Sequence, residues 1–201
     1  MFQVFQVFKK KNYRFLYFAT LTSQMGSVIG MTAVMFYLLA RFSEQPYYAT
    51  ITELMYSLPT LVVFFLVGVV ADKMDRQKVA SYSDWLSAIL SIILIVSIYI
   101  GWMPLVFIVL FLRSAITKFF APAEIAIVQG ILNKDEYASA AGLNQMTNSI
   151  FNLFGGAIGA FIYWTFGVYG AIVIDAISFT LSGLFIKYCS IPEEIRLPNG
   201  K

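Results

Sequence analysis

Six ionisable side chains fall inside long apolar runs of this chain: Glu53, Asp84, Arg113, Lys118, Glu124 and Asp175. A charge at the centre of a membrane helix costs about 2.5–3.5 kcal/mol on insertion scales, so each must face protein or water and find a partner. Arg113, Thr117, Phe120 and Glu124 recur at spacings of 4, 3 and 4, which is one face of a regular helix. Lys118 points elsewhere, and Pro122 stands where it could shift Glu124 off that face. Two readings of Arg113 stand. It lines an aqueous cavity, binding anionic groups or coupling to protons, or it pairs with Glu53 and holds the bundle together. Glu53 itself reads either as a proton-coupling carboxylate or as a side chain snorkelling to the outer interface. Glu124 is expected near the cytoplasmic surface, within reach of Arg76 or Lys78. Asp84 and Asp175 lie near the starts of their runs, where helix–helix hydrogen bonds or first-turn dipole contacts are expected. Lys118 has no evident partner in the sequence.

Uncharged polar residues follow helical spacing too. Thr20, Ser23, Gln24, Ser27 and Gly30 form one stripe, and Asn144, Asn148 and Asn152 form another at i, i+4, i+8. Polar stripes on membrane helices face a bundle or a cavity rather than lipid. Gln24, Ser27, Asn144 and Asn148 are therefore the candidate cavity lining. Gly155, Gly156 and Gly159 are read as packing glycines. The chain has no His and one Cys, Cys189, so imidazole chemistry and an intrachain disulfide are both absent. No phosphate-binding loop, GxSxG or HExxH stands in the sequence. The expectation is no enzyme, no metal and no cofactor, with a proton gradient as a possible energy source.

The elements that must position these residues follow from composition. Of 201 residues, 59% are hydrophobic and 12% charged, against about 25% charged in a soluble domain. Mean hydropathy is +0.76. The partner of such a surface is a lipid bilayer, and no nucleic-acid role is expected. A span needs about 20 apolar residues, and six runs qualify: 13–40, 47–71, 79–100, 105–129, 138–166 and 171–189. The fold class is an all-α membrane protein with six transmembrane helices across 13–189. Residues 1–12 read as a cytoplasmic interfacial segment, and 190–201 as a loose polar tail. Lys9, Lys10 and Lys11 precede a run too long for a signal peptide, and no small-residue cleavage site follows. Pro122 is expected to kink the fourth span in its final turns, and 167–170 to turn between the fifth and sixth. Eleven of the fourteen Lys and Arg residues fall on the side that holds both termini. The positive-inside rule makes that side cytoplasmic and the protein a multi-pass protein of the cell membrane.

Between the second and third spans lies GVVADKMDRQK, with Gly68, Asp72, Lys73, Asp75, Arg76 and Lys78 in eleven residues. The plain reading is a charged loop that sets topology. The pattern also resembles the loop signature of the major facilitator superfamily. The Asp75 form, the FLRSAITKFFAPAEIAI segment and the runs GLNQMTNSIFNLFGGAIGAFIY and IDAISF are similar to the branch that holds macrolide-efflux and siderophore-export proteins. Gly155-Gly156 stands where drug antiporters often carry Gly-Pro. Ile116 and Thr117 stand where the proton-antiporter pattern has other residues. The resemblance implies the six-helix N-terminal half of a transporter that exports hydrophobic small molecules or drugs by alternating access. It implies a second six-helix half, in cis or in trans, with 190–201 as a cytoplasmic tail or the start of the central linker. In that setting Asp72 would dock on the missing half as a gate, and Arg76 would relay charge toward the fourth span. The rivals are a non-transporting interaction or regulatory subunit and an inactive truncated fragment.

Overall fold

The computed structural model describes residues 7–197, leaving out the side chains of Ala71 and Asp72. Among the described residues the chain is helical without strands. The helices are α1 (Lys11–Arg41), α2 (Tyr47–Val62), α3 (Phe64–Lys73), α4 (Arg76–Ile100), α5 (Met103–Thr117), α6 (Phe120–Ile131), α7 (Tyr137–Lys187) and α8 (Glu193–Arg196), with a 3-10 turn at Lys134–Glu136. Four stretches are long and apolar enough to cross a membrane: α1, α4, α5 with α6, and Lys134–Lys187. The bent pair α2 and α3 makes a fifth.

Two expected spans are broken. The second bends by 52° between Val62 and Phe64. The fourth breaks at Lys118 and Phe119 rather than after Pro122. Proline has no N–H for the carbonyl four residues back, and its ring crowds that carbonyl. The carbonyl in question belongs to Lys118, so Pro122 acts one turn upstream of its own position. The turn expected at 167–170 falls inside α7, whose 51 residues would reach about 75 Å if straight, against a hydrocarbon core of about 30 Å. Gly167 interrupts it with φ 70° and ψ −179°, a conformation that glycine adopts without a Cβ penalty. The two sides of Gly167 run along α1 in opposite senses. Gly155 and Gly159 meet Val28 and Thr32, whereas Ser178 and Asp175 meet Gly26 and Gly30. The chain reverses at this glycine.

Packing is close where residues are small. A Cβ on Gly26 would stand 2.6 Å from Ser178 Cβ, and one on Gly30 would stand 2.9 Å from Asp175 Cγ. Along α4, Asp84, Ser87, Ser91, Leu94 and Ile98 form the buried face. The hydroxyls of Ser83 and Ser87 donate to the carbonyls one turn back, which satisfies them within the helix. The opposite face of α4 is apolar and exposed.

At the basic end, residues near both ends of the chain are tied down. Val7 packs on Tyr13, Leu132, Ala140 and Leu143. Lys10 pairs with Glu136 at 2.5 Å. The expected loose tail is docked over residues 190–197. Ile191 is buried, Arg196 pairs with Asp75 at 3.0 Å, and Ile195 lies against Gly130. Arg196 joins Asp75 and Glu193, and the Ser190 carbonyl accepts from the Asn12 amide. Residues 1–6 and 198–201 of the expected interfacial segment and tail lie outside the described residues.

Candidate functional site

Buried charge gathers in two places. The first is built around Arg113 on α5. Its Nη2 donates to Asp175 Oδ1 on α7 at 2.7 Å, and its Nη1 donates to Tyr56 Oη on α2 at 3.0 Å. Ser91 on α4 donates to Asp175 Oδ2 at 2.7 Å. Ser114 donates to the Tyr56 carbonyl at 2.7 Å, and the guanidinium lies 5.2 Å from the Phe179 ring. The Arg113 and Asp175 side chains are 3% and 0% exposed. Gly30 supplies the room on α1 that lets Asp175 approach. Five segments thus meet at one ion pair. Removing one partner from such a pair leaves a buried charge uncompensated, at a cost of about 3–5 kcal/mol.

This corrects the expected pairing of Arg113 with Glu53. Glu53 is exposed on α2, and Tyr56, one turn later, takes the contact. Asp175 is also more than a helix-start residue, since it is the counter-ion. The shared face of Arg113 and Glu124 is lost as well, because the break at Lys118 turns α6 relative to α5. Thr117, Phe120 and Glu124 stay together on one cavity while Arg113 points to α7.

The second place is centred on Glu124 of α6 and Asp84 of α4, both at least nine-tenths buried. Glu124 Oε1 accepts from Thr20 at 2.8 Å and from Asn144 at 3.4 Å. Asp84 accepts from Ser23 at 3.2 Å and from Ser182. Among the described residues neither carboxylate forms an ion pair. The expected reach of Arg76 or Lys78 to Glu124 is not made. Arg76 Nη1 donates to the Ile195 carbonyl at 3.0 Å instead.

Two adjoining cavities open at Glu124. One, of about 360 Å³, runs between α1 and α7 past Ser27, Asp84 and Asn152. The other, of about 440 Å³, runs along α6 and α7 past Gln129 and Asn144. Gln24, Ala121, Glu124 and Asn148 border both. The structure therefore brings together Gln24, Ser27, Asn144 and Asn148 with Glu124 and Asp84, and places Glu53, Arg113 and Asp175 elsewhere. Gln24 Oε1 is buried without a partner among the described residues. Chemically, the site offers carboxylates held only by neutral donors, next to open space, so it can exchange a proton or receive a cationic group.

The charged loop is spread over the basic end. Gly68 and Lys73 are exposed in α3. Asp75 caps α4, accepting from the backbone N–H groups of Gln77 and Lys78 at 3.1 and 3.2 Å. The Asp72 side chain lies outside the described residues. Lys118 is half-buried at the α5–α6 break. Sequence reasoning missed Tyr56, Ser91, Thr20, Ser23 and Ser182 as partners of charged groups. Of these, Thr20 and Ser23 were already visible in the polar stripe of α1.

Residues 3–189 match the family model described as transmembrane secretion effector. The chain is 57% identical over 194 residues to the uncharacterized MFS-type transporter YkuC of Bacillus subtilis (strain 168), covering 96% of this chain and 45% of that protein. It is 29% identical over 175 residues to macrolide efflux protein A of Streptococcus pyogenes, covering 85% of this chain and 42% of that one. The chain thus spans less than half the length of these relatives. No solved structure matches it.

Proposed function

The chain belongs to the major facilitator superfamily of membrane transporters, and from that premise we propose that it forms one six-helix half of an exporter of hydrophobic small molecules. The observation that carries this reading is the pair of cavities meeting at Glu124, a buried carboxylate with no cation paired to it among the described residues, walled by polar stripes of α1 and α7. Such a site suits half of a binding chamber near the membrane midplane, completed by a second half across it. Counting α7 as two spans on either side of Gly167 supports six spans, with both ends on the basic, cytoplasmic side of the cell membrane. The substrate class rests on the printed name of the macrolide efflux relative. In the working cycle the cavity opens alternately to each side. Glu124 and Asp84 carry the charge that is exchanged, and the Arg113–Asp175 pair stays fixed. The Gly68–Lys78 loop, through Asp72 and Arg76, gates against the second half.

The test joins this chain to the remaining part of its Bacillus subtilis relative and follows export of macrolides and hydrophobic dyes from cells. The reading predicts export that Asp72→Asn weakens. If the completed, membrane-inserted protein exports nothing that control cells retain, a non-transporting role replaces this one.

A further inference from the structure

A third cavity, of about 250 Å³, lies at the basic end, apart from the Glu124 cavities. Its walls come from α4, the last turn of α7 and α8. They carry three cations (Lys78, Lys187 and Arg196) together with Ser81, Tyr82 and Trp85. Arg196 is engaged by Asp75 and Glu193. Lys78 makes no side-chain hydrogen bond or ion pair among the described residues and is exposed. Lys187 Nζ stands 5.4 Å from the Trp85 ring, and that indole approaches α7 closely because Gly183 has no Cβ to block it. Tyr82 and Trp85 are side by side, with ring centroids 5.9 Å apart. Amphipathic rings of this kind settle at the level of lipid headgroups.

The cavity continues into an apolar track. Tyr82, Leu86, Ile89, Ile93, Val96 and Ile100 follow one another at spacings of 4, 3, 4, 3 and 4, and all are exposed. They form a single stripe along α4, starting at the cavity and running toward the far end of the helix. A basic recess at one end of an exposed apolar stripe matches a molecule with an anionic head and a long hydrocarbon tail.

We propose that this cavity binds the phosphate headgroup of an anionic phospholipid, with an acyl chain lying along the α4 stripe. Lys78 and Lys187 supply the charge that selects the headgroup, and Trp85 marks the depth at which head gives way to tail. Basic pockets between membrane helices bind anionic headgroups in this way. A bound lipid would bridge α4, α7 and α8, and so hold the docked residues 190–197 against the Asp75–Lys78 turn. The proposal requires only that the chain lie in a membrane, and it is independent of what the Glu124 cavities carry.

The test uses the full chain in phosphatidylcholine vesicles. Trp102→Phe with Trp164→Phe leaves Trp85 as the only tryptophan. Phosphatidylglycerol with brominated tails is compared with brominated phosphatidylcholine at one small, matched mole fraction. Quenching of Trp85 is expected to report about fivefold enrichment of the anionic lipid. Lys78→Gln with Lys187→Gln should bring the two lipids to parity, and Lys78→Arg with Lys187→Arg should keep the preference. Equal quenching in the parent protein overturns the proposal, as does a preference that survives the Gln pair. Loss of the preference in inorganic phosphate, but not in chloride of the same ionic strength, would show that the cavity recognises the phosphate of the headgroup, as proposed.

Discussion

The Arg113–Asp175 pair and the Glu124–Asp84 cluster both place charge inside the bundle, and they are completed in opposite ways. Asp175 meets a guanidinium at 2.7 Å and a serine hydroxyl at 2.7 Å. Tyr56 and Phe179 close the guanidinium from other sides. Among the described residues Glu124 and Asp84 meet only hydroxyl and amide donors, and Glu124 borders two cavities. The contrast separates charge that holds helices together from charge left available. An ion pair buried with both guanidinium Nη atoms engaged is costly to disturb, whereas a carboxylate beside open space can take a proton or a cation and release it.

The largest expected effect is at the pair. Arg113→Ala should destabilise the protein by about 3–5 kcal/mol, because Asp175 is left buried and alone. Thermal unfolding in detergent reads this, and Arg113→Met with Asp175→Leu should recover most of the loss. A full-sized loss in that double variant would mean that the pair stabilises rather than merely satisfies itself. Next comes Gly30→Ala, which drives a methyl into the Asp175 carboxyl and should cost about 1–3 kcal/mol as overpacking. Gly156→Ala, with nothing within 4 Å, should cost nothing by the same assay, and equal effects would break the distinction. At the other cluster, Glu124→Gln keeps the shape and an acceptor for Thr20. Its unfolding midpoint should stay close to the parent's, with a change of under about 1 kcal/mol.

The smallest effect belongs to charge in water. The Lys10 ammonium beside Glu136, with the Asn133 backbone N–H, holds that carboxyl below its ordinary value of 4.5. A depressed value means the contribution is fully present above pH 4.5 and fades as pH falls through the lower, folded-state value. Lys10→Gln should reduce this slope in the unfolding midpoint by a small amount typical of a surface pair, leaving the part that the Asn133 N–H supplies.

Much of the scaffold was legible in the sequence because lipid imposes a simple length and polarity rule. The apolar runs at 13–40 and 79–100 match α1 and α4 to within a few residues. The stripes of α1 and α7 were visible at helical spacing, and the structure brings Gln24, Ser27, Asn144 and Asn148 to one place. The partner of Arg113 was not legible. Asp175 is 62 positions away in the chain, and hydropathy says nothing about how a helix is rotated against its neighbours. The parting of Glu124 from the Arg113 face was legible in Pro122, but its place was not, since Pro122 acts on the Lys118 carbonyl rather than at its own position. The docked residues 190–197 were hidden for a related reason: their polarity is spent on Asp75 and on Arg76, whose Nη1 binds the Ile195 carbonyl.

The most direct measurement is export by the completed transporter carrying Glu124→Gln, compared with the parent at equal amounts of folded, membrane-inserted protein. The account predicts that export falls to near background while the unfolding midpoint holds. Undiminished export would show that the carboxylate between the two cavities takes no part in transport, and would contradict the account.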